Sequence, residues 1–436
     1  MSEKAGLRKL GLIILAFSIV IHLMANLSLA TGNLSSLLIP GHRWTFAGCD
    51  LWSMIQAGYD VCFGAGIYTG DEFHPALWGP LGFPYVLPPW IAIIAGIPLS
   101  FFSPWGAHAI YWLMLECALA ALAYLCWRLA GQDFRGMLAA SLCLVAAPQM
   151  VELHHGQTDT FIASGLALLL LSLNQGGRFS RGFGMGLLLG IKPIGMFIIP
   201  PMLLKKKRRG LALTSLLIYI LALSAAILIT IAANPGVMQT ELNVFADLKP
   251  GSTALTLTIL RPPNDYAFQF IKFLVLGRST PTNHFFPTDQ GPMNLLRVLG
   301  LPWGYFAIII LTATVFLTWR YRKAGARELS LGWMFLPLWI MPVVWDTYSL
   351  LTLPLAALLA GMRKDYRPLI ASLIMVLPSP LGPLPNAVEQ TYPLPPDFAL
   401  IVIINLAIRV IALGWLTFMA WKQCMVSAQK RGVSPG

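Results

Sequence analysis

The segment LGLIILAFSIVIHLMANLSLA, residues 10–30, is predominantly apolar, contains no Asp, Glu, Lys or Arg, and is long enough to cross the hydrocarbon core of a bilayer. A short basic stretch precedes it, so we expect a first transmembrane helix with its N-terminus inside. Similar runs recur along the chain, which is 57% hydrophobic and 11% charged. Soluble domains carry about 25% charged residues. The sequence therefore predicts a single all-α, polytopic transmembrane domain over residues 1–436, with about ten to twelve membrane helices.

The net charge of +12 is gathered in short basic clusters between apolar runs. That distribution is typical of inner membrane edges and argues against nucleic-acid binding. Two segments leave the topology open, because residues 91–102 are short and residues 183–204 are broken by Lys192-Pro193. If the first does not cross and the second is a re-entrant helix pair, clusters holding 22 of the 30 Lys and Arg residues lie inside. If both cross as single spans, four arginines move outside.

The positive-inside rule favours the re-entrant arrangement. Two long loops, residues 31–89 and 234–297, then lie outside, together with most polar residues capable of chemistry. In the first loop, Asp50 opens an amphipathic segment in which Leu51, Met54 and Ile55 share a helical face. A carboxylate at this place is either a helix N-cap or, if it faces a cavity, a general base.

A second polar cluster holds Glu152, His154, His155, Gln157 and Asp159. Such residues are potential metal ligands. However, adjacent histidines on a helix point about 100° apart, and no HExxH spacing is present. We therefore expect no metal site and no cofactor. The alternative is a polar turn in which Thr158 or Asp159 caps the next helix.

Four further ionisable residues stand out by their positions. Lys192 lies within an apolar stretch at a proline break, where it either binds an anionic group such as phosphate or snorkels to the interface. Arg261 follows an apolar stretch of the second outer loop and is a candidate for a lipid phosphate or a headgroup-level cation. Glu116 and Arg409 lie inside apolar runs, and a buried pair between them is one interpretation.

The layout resembles the GT-C superfamily of membrane glycosyltransferases, and more narrowly glycosyltransferase family 87, the polyprenol-phosphate-mannose-dependent mannosyltransferases. Four blocks in order carry the resemblance. They are Asp50 followed by Gly66–Tyr68 and Tyr85–Pro89, then Gly156-Gln157, then Gly186–Pro193 before the basic residues 205–209, and finally Trp345-Asp346.

The resemblance implies an inverting transfer of a sugar, mannose in that family, from a polyprenyl phosphate to a lipid-linked or glycan acceptor. It makes Asp50 the catalytic base and Lys192 and Arg261 the ligands of the donor phosphate. It also implies a multi-pass protein of the bacterial plasma membrane with its active site on the outer face. The candidate substrate-binding residues are Tyr68, Tyr85, His154, His155, Gln157, Asp159, Trp345 and Asp346.

Two places depart from the family pattern. Thr347-Tyr348 follow the W-D block where histidines are common, and Thr158-Asp159 follow Gly156-Gln157. These departures leave open a sugar other than mannose. A transporter or flippase of a lipid-linked sugar is the alternative function. That class favours matching broken helices in two halves, whereas the break at Lys192 has no evident twin.

Overall fold

The structure is a computed structural model of the chain, and it describes residues 2–31, 48–62, 87–175, 177–233, 291–299, 301, 303–341, 346–377 and 396–432. All regular secondary structure in these ranges is helical. Five helices there are long and apolar enough to cross a membrane. The prediction of an all-α, polytopic membrane protein is therefore confirmed.

The helices, numbered along the chain, are α1 (Ser2–Thr31), α2 (Cys49–Cys62), α3 (Pro104–Ala130), α4 (Phe134–Leu144), α5 (Ala147–His155), α6 (Asp159–Gln175), α7 (Arg178–Gly190), α8 (Ile199–Leu203), α9 (Lys206–Ala233), α10 (Pro292–Val298), α11 (Trp303–Arg320), α12 (Ala326–Trp333), α13 (Leu336–Ile340), α14 (Thr352–Arg363), α15 (Arg367–Val376) and α16 (Pro396–Gly432). Two 3₁₀ helices, Pro193–Ile198 and Asp346–Leu351, stand before α8 and α14. The amphipathic segment that the sequence predicts to begin at Asp50 corresponds to α2.

Local sequence signals fix the ends of α3. The Ser103 hydroxyl accepts a hydrogen bond from the Gly106 amide, and Pro104 occupies the first turn, where its missing N–H costs nothing. Gly131 ends the helix with φ of 114°, in the left-handed region that glycine adopts most readily. A helix of 27 residues is about 40 Å long, enough to cross a bilayer.

The main hydrophobic core lies where α3, α4, α6, α7 and α14 pack together. Leu122, Leu166, Leu188 and Leu355 are fully buried there. A smaller cluster forms around Trp52, where α2 meets the helical segment 89–99, the start of α3 and the end of α5. This smaller cluster includes Leu51 and Trp52, the two residues that directly follow Asp50.

The sequence left it open whether residues 91–102 and residues 183–204 each cross the membrane. In the structure neither segment forms one long helix. Residues 89–99 form a helical segment about 16 Å long, too short for a hydrocarbon core of about 30 Å. Further along, α7 ends at Gly190, and the following 3₁₀ helix folds back against it. A Cβ atom at Gly195 would lie 2.9 Å from the Leu188 backbone, so glycine permits this close return. The bend predicted at Lys192-Pro193 is present.

The suggested pair between Glu116 and Arg409 is wrong. Glu116 lies 2.8 Å from the Nε2 atom of His22, and it also accepts a hydrogen bond of 2.9 Å from Asn26 on α1. The Arg409 guanidinium donates to the backbone carbonyls of Met375 and Leu377 at 2.6 and 2.8 Å. Glu116 and Arg409 therefore find their partners on different neighbouring helices.

Candidate active site

The start of α2 and the turn between α5 and α6 are held together by backbone contacts. The Gly48 amide donates to the His154 carbonyl at 2.6 Å. Gly156 ends α5 with φ of 76°, and a Cβ atom there would lie 2.5 Å from Cβ of Leu51. Because any side chain would both strain the backbone and clash, glycine is required. This contact brings the Gly156-Gln157 block beside Asp50.

Gln157 connects Asp50 to the start of the late 3₁₀ helix. Its side chain hydrogen-bonds to the Asp50 carboxylate. Its Oε1 atom accepts a hydrogen bond of 2.8 Å from the fully buried Thr347 hydroxyl. Since Oε1 is engaged by a donor, the amide NH₂ is the group that faces Asp50. Gln157 therefore acts here as a support for the carboxylate.

The environment of Asp50 suits a proton acceptor. Burial raises the pKa of Asp50 from its ordinary value of 3.8 to about 6, and the charge of Asp159 adds to that rise. The Gln157 hydrogen bond and the Lys192 charge lower this pKa in part. A base works best when its pKa lies near the operating pH. Asp50 is therefore ionised near neutral pH and has a higher proton affinity than an exposed aspartate.

Lys192 and Asp159 form a close ion pair near Asp50. The Lys192 Nζ atom lies 2.8 and 2.9 Å from the two carboxylate oxygens of Asp159. The Asp159 side chain is 1% exposed and that of Lys192 is 16% exposed. The Nζ atom also lies 4.5 Å from the ring centre of Tyr348, a cation–π contact. Lys192 is therefore partnered inside the protein, and the snorkelling interpretation does not describe it.

The break in the helix pair positions Lys192. The preceding helix ends at Gly190, whose carbonyl accepts a hydrogen bond of 2.5 Å from the Trp90 indole. Lys192 itself has an extended backbone, and Pro193 opens the next helical segment. Trp90 directly follows the Pro88-Pro89 part of the first sequence block. Trp90 therefore holds the end of α7 two residues before Lys192.

Glu152 is a component that the sequence did not assign to this role. Its fully buried carboxylate accepts hydrogen bonds of 2.8 and 3.0 Å from the Thr160 amide. It therefore caps the N-terminus of α6 from the end of α5. The prediction that Thr158 or Asp159 caps that helix is replaced by this tertiary cap, and the Asp159 carboxylate is directed to Lys192.

His154 and His155 are both buried at the end of α5, with ring centres 5.3 Å apart. The structure brings this end of α5 to the start of α2, where the His154 carbonyl accepts a hydrogen bond from the Gly48 amide. No group of three metal-ligating side chains suited to holding an ion occurs within the described ranges.

Other predicted site residues are not described. Tyr68, Tyr85, Arg261 and Trp345 lie outside the described residues, and for Asp346 only its place at the start of a 3₁₀ helix is described. The residues that sequence reasoning missed as site components are Trp90, Tyr111, Glu152, Thr347 and Tyr348. Of these, Tyr111 donates to the Gln157 carbonyl at 2.7 Å. For Thr347 and Tyr348 the sequence did contain a signal, because they stand after the W-D block where histidines are common in the resembled family.

Comparisons with known proteins identify a family for this chain. The sequence model described as glycosyltransferase family 87 matches residues 85–344, more than half of the chain. That match begins after Asp50 and includes Gln157, Asp159 and Lys192. No curated protein matches the chain.

Two solved structures from Archaeoglobus fulgidus are similar to the chain at 14% identity. One is the archaeal oligosaccharyltransferase AglB in complex with an inhibitory peptide and a dolichol-phosphate, with a TM-score of 0.38. The other is the oligosaccharyltransferase in its apo form, with a TM-score of 0.36. Each alignment covers 95% of this chain and 56% of the other, so the chain spans little more than half the length of these proteins.

Proposed function

The chain belongs to glycosyltransferase family 87, and we propose that it transfers a sugar, mannose, from a polyprenyl phosphate to a lipid-linked or glycan acceptor. The observation that carries this proposal is the juxtaposition of a base and a cation in one centre. Asp50 is a carboxylate with a raised pKa, and Lys192 is close enough to influence it. Transfer from a sugar phosphate needs a base for the acceptor and a cation for the leaving group.

In the proposed step, the Asp50 carboxylate takes the proton of an acceptor hydroxyl. The oxygen of that hydroxyl forms a bond to the anomeric carbon, and the bond from this carbon to the phosphate oxygen breaks. The bonding pair leaves with the polyprenyl phosphate, whose developing charge is stabilised by Lys192. Attack opposite the leaving group inverts the anomeric centre. The acceptor proton remains on Asp50 until the solvent takes it.

The geometry of α6 supports an active site on the outer face. Asp159 begins this helix of 17 residues, so its two ends are about 25 Å apart. At its other end, the Ser172 carbonyl accepts from Arg181 at 3.3 Å, and the Leu173 carbonyl accepts from Arg208. Basic clusters mark the inner membrane edge. These contacts support the part of the proposal that puts the active site on the outer face, and the membrane we propose is the bacterial plasma membrane.

The test uses purified protein in lipid nanodiscs, incubated with polyprenyl-phosphate mannose and a mixture of glycolipid acceptors. Mass spectrometry should detect an acceptor that has gained one hexose, together with free polyprenyl phosphate. A parallel reaction with GDP-mannose should yield no product. Transfer from GDP-mannose alone would contradict the donor class, whereas transfer from only a different polyprenyl-phosphate sugar would correct the sugar.

A further inference from the structure

Lys192 is already bound by an internal anion before any donor arrives. Both carboxylate oxygens of Asp159 lie within 2.9 Å of its Nζ atom. Of the three N–H donors on a lysine ammonium, this geometry engages two. The partial exposure of Lys192 and the deep burial of Asp159 mean that an incoming anion reaches Lys192 while Asp159 remains beside it.

Asp159 is held firmly in this position. It opens α6, and the next residue, Thr160, donates its backbone amide to the buried Glu152 carboxylate. The cap of α6 therefore fixes the backbone of Asp159, and its carboxylate is 1% exposed and contacts the Lys192 Nζ atom through both oxygens. An anion that binds Lys192 must share the ammonium group with this fixed carboxylate.

The charge of the bound phosphate changes during the proposed reaction, and this change affects how strongly the phosphate competes with Asp159 for Lys192. The donor is a phosphodiester with one negative charge. Cleavage of the bond to the sugar yields a phosphomonoester, which carries about 1.5 to 2 negative charges near neutral pH. An unopposed lysine would therefore bind the product more tightly than the donor, because attraction grows with charge.

We propose that Asp159 is an internal counter-anion that competes with the leaving phosphate for Lys192 and thereby weakens binding of the polyprenyl phosphate product. This assignment rests on the proposed function, since it takes Lys192 as a ligand of the donor phosphate. Asp159 contacts Lys192 and not the reacting atoms, so it is a positioning residue. Its effect is to favour release of the product over its retention.

The test measures binding of farnesyl phosphate, a short polyprenyl monophosphate, to the purified full chain. Asp159→Asn preserves the size of the side chain but removes its charge. It should tighten farnesyl phosphate binding about 10- to 100-fold, the range expected from one charged hydrogen bond. Lys192→Met/Asp159→Asn should abolish that gain. Asp133→Asn, at the exposed Arg135 pair that opens α4, is the matched control and should leave binding unchanged.

A kinetic measurement separates this role from a purely structural one. Asp159→Asn should strengthen inhibition by polyprenyl phosphate more than it lowers the KM for the donor. A structural ion pair would instead weaken both interactions when broken. Unchanged or weaker farnesyl phosphate binding by a folded Asp159→Asn protein would overturn the proposal.

If Asp159→Asn does not fold, Lys192→Arg provides the test. The guanidinium has more N–H donors and can serve Asp159 and the phosphate together, so farnesyl phosphate should bind more tightly. Unchanged or weaker binding would overturn the proposal.

Farnesol, which lacks the phosphate, separates this inference from the proposed function. If farnesyl phosphate binds no better than farnesol to any variant, the counter-anion role fails. If phosphate binding depends on Lys192 and Asp159 as stated but no polyprenyl-phosphate sugar is a donor, only the proposed function fails.

Discussion

Lys192 and Arg409 are both cations set in apolar stretches of the chain, yet the structure gives them different surroundings. Lys192 bonds to a carboxylate, lies over an aromatic ring and keeps 16% of its side chain exposed. Arg409 is 3% exposed and donates to two backbone carbonyls, those of Met375 and Leu377 at the end of α15.

The difference indicates that a cation in an apolar stretch can have either of two roles, according to its partners. The last carbonyls of a helix lack partners within it, and the planar guanidinium of Arg409 supplies two donors to them at once. Arg409 therefore stabilises a helix end. Lys192 lies near Asp50 and keeps part of its side chain exposed, so we propose that its charge serves the candidate active site.

The largest effect on stability is expected at Arg409. Arg409→Met leaves the carbonyls of Met375 and Leu377 without these donors, at about 1–3 kcal/mol for each buried group. The free energy of unfolding should fall by about 2–6 kcal/mol, while the KM for the donor of the remaining folded enzyme should not change. Thermal unfolding in detergent measures the first quantity. Lys422→Met, at an exposed position of the same helix, is the control.

The opposite result is expected at Lys192, provided that its partner is changed with it. Lys192→Met alone leaves the buried Asp159 charge uncompensated, which is itself destabilising. The double variant Lys192→Met/Asp159→Asn removes both charges and should keep near-normal thermal stability. Its KM for the donor should rise about 10- to 100-fold, because a charged hydrogen bond is lost. A normal KM in the folded double variant would place Lys192 in the same structural class as Arg409.

A smaller effect, on pH dependence, follows from the raised pKa of Asp50. The base must be deprotonated to work, so kcat/KM should be constant above the pKa of about 6. Below it, kcat/KM should fall about tenfold for each pH unit. If kcat/KM instead begins to fall only near pH 4, the range of an ordinary aspartate, the group whose protonation stops the reaction is not the buried Asp50.

The sequence predicted several parts of this centre for physical reasons that the structure bears out. Apolar run lengths gave the helical class, and the proline after Lys192 gave the break in the helix pair. The partner of each buried ionisable residue was harder to predict. An ionisable residue in an apolar run signals that a partner exists, but which residue it is depends on how helices pack across the chain. For that reason Glu116 was matched with Arg409, whereas its partners are His22 and Asn26 on α1.

The same limit applies within the site. The sequence identifies Glu152 and Asp159 as neighbouring carboxylates and as potential metal ligands. Their separate tasks follow from the tight turn at Gly156, which aims Glu152 at the Thr160 amide, while the return of the chain after α7 brings Lys192 to Asp159. The contact between Lys192 and Asp159 and the contact between Glu152 and Thr160 both depend on how the chain folds, and the spacing of these residues in the sequence does not predict them.

The central claim, that Asp50 is the base of a sugar transfer, is tested most directly by turnover of Asp50→Asn. Asparagine preserves the size of the side chain and its contact with Gln157 but cannot take a proton. The variant should fold and bind the donor normally, yet turn over about 10²–10⁴ times more slowly. Asp60→Asn, which changes a carboxylate further along α2, should retain nearly full turnover. Near-normal turnover by Asp50→Asn, measured with polyprenyl-phosphate mannose, would contradict the claim.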